Sequence, residues 1–233
     1  LGRVANHPVN LHCAGRTDAG VHASCQIIHW ETDAVREPIN WFHGANANLP
    51  ADISLCWAKI MPDDFHARFS AMARRYRYVI YNDPVRPAHL AHEVTWNYRP
   101  LDLERMQLAA QALVGEHDFT SYRALACQAK SAVKKVHHLR LQRFGQFIVL
   151  DIRANAFLHH MVRNIAGVLM QIGCGERPVD WAAEVLALAN RSKGGLTAPA
   201  YGLYLVDVTY PDRFELPERY MGPHFLSALN QAD

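Results

Sequence analysis

The sequence has little charge imbalance, few cysteines and no long apolar run, and each scarcity removes a class of function. Lysine and arginine total 24 against 22 acidic residues, a net charge of +2 with histidine neutral. That balance allows a polyanionic partner without requiring one. The five cysteines, Cys13, Cys25, Cys56, Cys127 and Cys174, are scattered and never spaced C-x-x-C. Such spacing speaks against a disulfide framework or a thiolate zinc site and fits reduced thiols in a cytoplasmic protein. No apolar stretch approaches the roughly 18 residues that span a bilayer, so no membrane association is expected. Solenoid-length repeats and low-complexity segments are also missing. The chain opens on Leu1 rather than Met, and residues 1–6 read as the tail of a helix, not as a signal peptide. The natural protein is expected to begin further upstream.

What is present suits a globular protein. Half of the 233 residues are hydrophobic, enough for a sizeable core, and the 20% charged fraction is too low for disorder. Alternating apolar and polar residues predict strands over 9–13, 25–31, 53–61, 73–81 and 202–210, with a hairpin of 136–143 and 146–154 turning at Phe144-Gly145. Within 73–81, Tyr76 and Tyr78 share one face while Arg75 and Arg77 share the other. Leu103, Met106, Ala110 and Leu113 lie at helical spacing, with Asp102 placed to cap the start and Gly115 the end. Phe157, Met161, Ile165, Val168 and Ile172 form a second helical stripe ended by Gly173. A third helix is predicted over 181–189. Antiparallel strand runs interrupted by long helices argue for an α+β fold with sheets backed by helices. A boundary is expected near residue 64, giving an N-terminal subdomain of residues 1–64 and a C-terminal one of 65–233.

Fourteen histidines raise the question of a metal. Two adjacent pairs stand out, His137-His138 and His159-His160. Neighbours on a strand or helix point apart, which suits chelation poorly, so no metal site is expected.

The most informative stretch is Gly15-Arg16-Thr17-Asp18-Ala19-Gly20-Val21-His22. Two glycines bracket a charged pair between two predicted strands, so the chain can turn sharply and present Asp18 at a sheet end. By residue type alone an ordinary turn aspartate is the better explanation, since Asp and Gly dominate turns. The octapeptide nevertheless resembles the catalytic motif of the tRNA pseudouridine synthase A family. The resemblance continues in order through Gly44-Ala45-Asn46-Ala47-Asn48-Leu49-Pro50, Asp64-Phe65-His66-Ala67-Arg68-Phe69-Ser70-Ala71 and Arg74-Arg75-Tyr76-Arg77-Tyr78. It extends through Gly115-Glu116-His117-Asp118-Phe119-Thr120-Ser121, Asn155-Ala156-Phe157-Leu158-His159-His160-Met161-Val162-Arg163-Asn164-Ile165 and Thr197-Ala198-Pro199-Ala200-Tyr201-Gly202-Leu203. Nearly the whole chain is covered. The family's opening strand, with its Tyr-Asp-Gly segment and Gly-Trp-Gln loop, is not in this sequence, so the N-terminal subdomain is expected to lack it.

The resemblance implies a pseudouridine synthase fold, two subdomains of mixed or antiparallel sheet around a basic catalytic cleft. It implies isomerisation of uridine to pseudouridine at positions 38, 39 and 40 of the tRNA anticodon arm by a homodimer. The reaction oxidises nothing and loses no atoms, so no cofactor is expected. Asp18 is implied as the catalytic carboxylate, attacking the sugar or the base or first taking a sugar proton. Arg163 is implied as its counter-ion, since a cation keeps a partly desolvated carboxylate charged. Arg16 is implied in flipping the target base, and Tyr76 in stacking on it or moving a proton. His22 lies in the same motif and is counted with the substrate-binding residues. Arg74, Arg75, Arg77, Lys130, Lys134, Lys135 and Arg140 are candidate phosphate contacts. Two alternatives stand beside this reading: a non-catalytic RNA-binding module and a histidine-rich metallohydrolase.

Overall fold

The computed structural model describes residues 1–218 and 222–226. In chain order the elements begin with α1 (Gly2–Ala5), β1 (His12–Cys13), β2 (His22–Ala23), β3 (Ile28–His29), α2 (Pro38–Asn46), β4 (Ala73–Asn82) and β5 (Thr95–Asn97). They continue with α3 (Leu103–Gln111), β6 (Gly115–Asp118), β7 (Val133–Phe144), β8 (Phe147–Ala154), α4 (Met161–Gly173), α5 (Trp181–Ala187) and β9 (Leu203–Thr209). The chain divides into two compact units, Leu1–Arg16 with Ile27–Ala71 and Tyr210–Pro217, and Thr17–Gln26 with Met72–Thr209 and Glu218–Asp233. This grouping differs from a single cut at residue 64, because the segment carrying Asp18 clusters with the later part of the chain.

The larger unit is built on a mixed sheet ordered β2-β9-β4-β8-β7-β6, with β5 also paired to β4. Its centre is antiparallel, as the alternation predicts, while β2 joins β9 and β5 joins β4 in parallel. On one face Tyr78, Ile80, Ile148, Leu150 and Ile152 pack against Met106 of α3, Leu113 just beyond it, and Ile165, Leu169 and Ile172 of α4. This is the α+β arrangement of a sheet backed by helices. On the other face Val79, Val149, Tyr204 and Val206 form a smaller cluster.

Helix α3 starts as expected, with the Asp102 carboxylate accepting the Arg105 N–H at 3.1 Å. It stops at Gln111, before Gly115, whose φ of +108° instead serves entry into β6. Helix α4 begins at Met161, not at Phe157. His160 adopts a left-handed conformation (φ 62°, ψ 4°), which a continuing α-helix cannot accommodate. The carbonyl of His159 turns away to accept the Ala124 N–H at 2.8 Å.

In the smaller unit β1 and β3 pair antiparallel, and both are shorter than the predicted strands. Residues 53–61 form no strand ladder among the described residues. Leu55 exchanges both backbone hydrogen bonds with the Asn46 side-chain amide, at 2.8 and 2.7 Å, so a side chain replaces the partner strand. Helix α2 was not anticipated from the sequence. Pro38 opens it, where a missing N–H costs nothing, and Trp41 and Ala45 one turn apart are its buried residues.

Candidate active site

Asp18 sits in a tight turn whose Val21 N–H donates to the Asp18 carbonyl at 3.0 Å. Gly20 takes φ +80° at the third position of that turn, the conformation a type II turn reserves for glycine. A Cβ there would also lie 2.9 Å from the Tyr201 ring. The chain then enters β2, where His22 pairs with Tyr204. The turn thus holds Asp18 at the edge of the sheet, with its side chain 32% exposed.

Three side chains converge on this carboxylate. Arg163, on the first turn of α4, donates from NH1 to Asp18 Oδ2 at 3.3 Å. Its Nε donates to the Ala198 carbonyl at 2.9 Å, and the Ala198 N–H returns a bond to the Arg163 carbonyl at 3.1 Å. The guanidinium is therefore clamped in place before it meets the carboxylate. His159 Nε2 donates to Asp18 Oδ1 at 3.1 Å, and His160 Nε2 lies 3.1 Å from Oδ2. The pKa of His160 is held below the usual histidine range by burial, then by the positive charge of Arg163 and by His159. A neutral ring at pH 7 follows, which still carries one N–H to offer.

This corrects the expectation that adjacent histidines diverge. The left-handed backbone of His160 brings the two rings to 4.0 Å between centroids, and both reach one carboxylate. Among the described residues, Asp18, His159 and His160 also have ligand atoms close enough together to hold a metal ion, all within 4.8 Å. Arg163 works against a dication there, since its charge already occupies Oδ2. In the smaller unit His12 stacks on His29, and His66 meets His29 edge-on. Nδ1 of His29 accepts the Ala67 N–H, and Nδ1 of His66 accepts those of Arg68 and Phe69, so these rings serve the fold.

The segment from Asn155 to His160 links the remaining candidates to the carboxylate. Its Phe157 ring meets Tyr76 edge-on at 4.9 Å, and its Asn155 carbonyl accepts from half-buried Arg74 at 3.4 Å. Tyr76 is partly buried against the core, one residue pair from Tyr78. Tyr78 itself is spent on structure: its hydroxyl shares a 2.6 Å bond with Thr95 and donates to the Pro199 carbonyl at 2.8 Å. Burial pushes that hydroxyl's pKa far up.

Other predicted residues lie elsewhere. His22 stacks on Tyr204 with ring centroids 4.6 Å apart and bonds the His92 carbonyl at 2.7 Å. Arg75 and Arg77, expected to meet phosphate, both turn to Asp151, at 2.7 and 2.9 Å, and Arg77 is buried. A guanidinium consumed inside the sheet has little left for RNA. Lys134 folds its ammonium onto the carbonyls of Ser131 and Val133, and desolvation lowers its pKa. Lys130, Lys135 and Arg140 are exposed, and so is Arg16, the last residue of the smaller unit's first segment.

The sequence reading missed Asn164. It is buried at 1% exposure, donates to the Tyr122 carbonyl, and accepts from Thr197 at 2.6 Å and Arg191 at 3.1 Å. It anchors the 197–198 segment that clamps Arg163. Its place beside Arg163 in the motif was the available signal.

A family model described as tRNA pseudouridine synthase matches residues 109–211. The chain is 69% identical over 230 residues to tRNA pseudouridine synthase A of Pseudomonas aeruginosa, covering 98% of this chain and 80% of that protein. It is 58% identical over 227 residues to the protein of the same name from Cronobacter sakazakii and 57% over 227 to that from Enterobacter sp. (strain 638). In both, 97% of this chain and 84% of the relative are covered. The chain belongs to the tRNA pseudouridine synthase A family.

Proposed function

We propose that this protein is an isomerase converting uridine to pseudouridine at positions 38, 39 and 40 of tRNA, with Asp18 as nucleophile and without a cofactor. The observation carrying this reading is the half-exposed Asp18 carboxylate held against the clamped guanidinium of Arg163 at 3.3 Å. In the reaction the N1–C1′ bond breaks, the uracil turns, and C5 joins C1′. The proton leaving C5 is balanced by one gained at N1. Nothing is oxidised, so the chemistry asks only for a charged carboxylate, a cation that keeps it charged, and a base drawn out of its stack. Tyr76 is assigned to the extruded base and Arg16 to extruding it.

RNA contact falls in this reading to the exposed cations Arg16, Lys130 and Lys135, with Arg74 beside the Asn155 carbonyl. Recognition of stem shape rather than base sequence lets one site serve neighbouring uridines. A homodimer acting in the cytoplasm completes the proposal. Mapping pseudouridines in tRNA from cells with and without this protein tests it. Loss confined to positions 38, 39 and 40 is expected, and an unchanged pattern at those positions would refute the substrate assignment.

A further inference from the structure

The two oxygens of Asp18 are held differently. Oδ2 is approached by Arg163, whose side chain is 15% exposed and tied to the Ala198 carbonyl, and by His160, 27% exposed and built into the start of α4. The His160 carbonyl accepts the Asn164 N–H at 2.9 Å, which ties its backbone to the first turn of α4. Oδ1 is met by His159 alone among the described residues, and that side chain is the most exposed of the three at 43%. The more exposed His159 ring can turn into solvent with less loss of packing than His160. A donor on the reacting oxygen weakens it as a nucleophile or base, so the oxygen with fewer and looser donors is the better placed to react.

From this asymmetry we infer a division of labour: Oδ1 is the oxygen presented to the uridine, His159 is the donor that yields to it, and His160 is a positioning residue that holds Oδ2. The inference rests on the activity proposed above. It applies equally whether the carboxylate attacks carbon or accepts a proton. His159 covers the reactive oxygen in the free enzyme, and substrate binding exchanges that hydrogen bond for contact with the target nucleoside. His160 stays on Oδ2 with Arg163 throughout, fixing the plane of the carboxylate.

Single-turnover kinetics on an anticodon stem-loop RNA, with the full chain, separate the two histidines. His160→Asn suits the test because asparagine tolerates the left-handed backbone but is too short to reach Oδ2. Losing the polar contact of His160 with the charged group should slow the rate at saturating RNA about tenfold to a hundredfold, with RNA affinity little altered. His160→Gln, whose amide reaches about as far as Nε2, should recover most of that loss. His159→Ala should act mainly on binding, tightening RNA about threefold to tenfold because no bond must be broken first. In histidine-labelled protein, product RNA should shift the His159 ring nitrogen signals and leave those of His160 in place.

An His159→Ala loss in saturating rate as large as that of His160→Asn would overturn the inference, as would full activity in His160→Asn. Wild-type protein that made no pseudouridine in this RNA would overturn the activity reading and this inference with it. Active wild type with indistinguishable variants would overturn this inference alone.

Discussion

Tyr76 and Tyr78 sit two residues apart on the same face of β4, yet they differ in how deeply they are buried. Tyr78 is fully buried with its hydroxyl bonded to Thr95 and Pro199, whereas Tyr76 is partly buried and rests edge-on against Phe157. Replacing Tyr76 with Phe keeps the ring and its packing. Thermal stability should therefore stay within about 1 kcal/mol, while turnover should fall about a hundredfold if the hydroxyl moves a proton. Retained turnover would leave the ring, as a stacking surface, with the whole role. Alternation alone could place both tyrosines on one face but could not tell that the Tyr78 hydroxyl is held by Thr95 and Pro199. The pairing of Asp18 with Arg163 was legible for another reason, because each stands in a motif that resembles the family's and the resemblance implies their contact. The His159-His160 arrangement was not legible: it depends on one residue with φ 62°, and side-chain periodicity carries no trace of that.

At the scale of elements, the site is only as firm as the contact of α4 with the 196–198 segment. Gly167 makes that contact close, since a Cβ there would lie 1.8 Å from the Leu196 carbonyl oxygen. Gly167→Ala should push the segment away, cost about 1–3 kcal/mol or more, and loosen the Ala198 clamp on Arg163. Denaturant unfolding and turnover should fall together; an Ala variant with native stability and activity would show that the helix does not need this approach. A second element-scale prediction concerns β4, β7 and β8. Burial pushes the Asp151 carboxyl up, but the hydrogen bonds from His138, Arg75 and Arg77 more than offset this and leave its pKa well below the usual carboxylate range. A depressed pKa contributes stability that is present above the unfolded value of about 3.9 and is lost as pH falls toward the folded one. Asp151→Asn should cost about 3–5 kcal/mol at neutral pH, because two guanidinium groups lose their partner. Its stability should also fall less steeply than wild type below about pH 4. Strand alternation anticipated β4, β7, β8 and β9 because each pairs along most of its length. It misread residues 53–61, where alternation is present but Asn46 supplies the hydrogen bonds a neighbouring strand would.

At the scale of the whole molecule, net charge is a weak guide. A balance of +2 conceals the difference between cations committed to the fold, such as Arg75 and Arg77, and exposed ones such as Lys130 and Lys135. If the exposed set meets phosphate, the affinity for tRNA should fall with salt. Removing Lys130 or Lys135 should each lower the magnitude of the log–log slope by about one, whatever the RNA sequence. Slopes that stay unchanged would move the RNA path elsewhere. The proposed homodimer predicts a sedimenting species of twice the chain mass. The division of the chain into its two units was hard to read because β2 is two residues long and joins β9 in parallel across a long stretch of sequence.

The most direct test of the account is pseudouridine formation by purified protein carrying Asp18→Asn, measured beside wild type on the same tRNA with binding followed in parallel. The substitution keeps the size and most hydrogen bonds of the side chain while removing its charge. Tight RNA binding with no detectable pseudouridine at positions 38, 39 and 40 is the predicted result. Turnover equal to wild type would contradict the role given to this carboxylate.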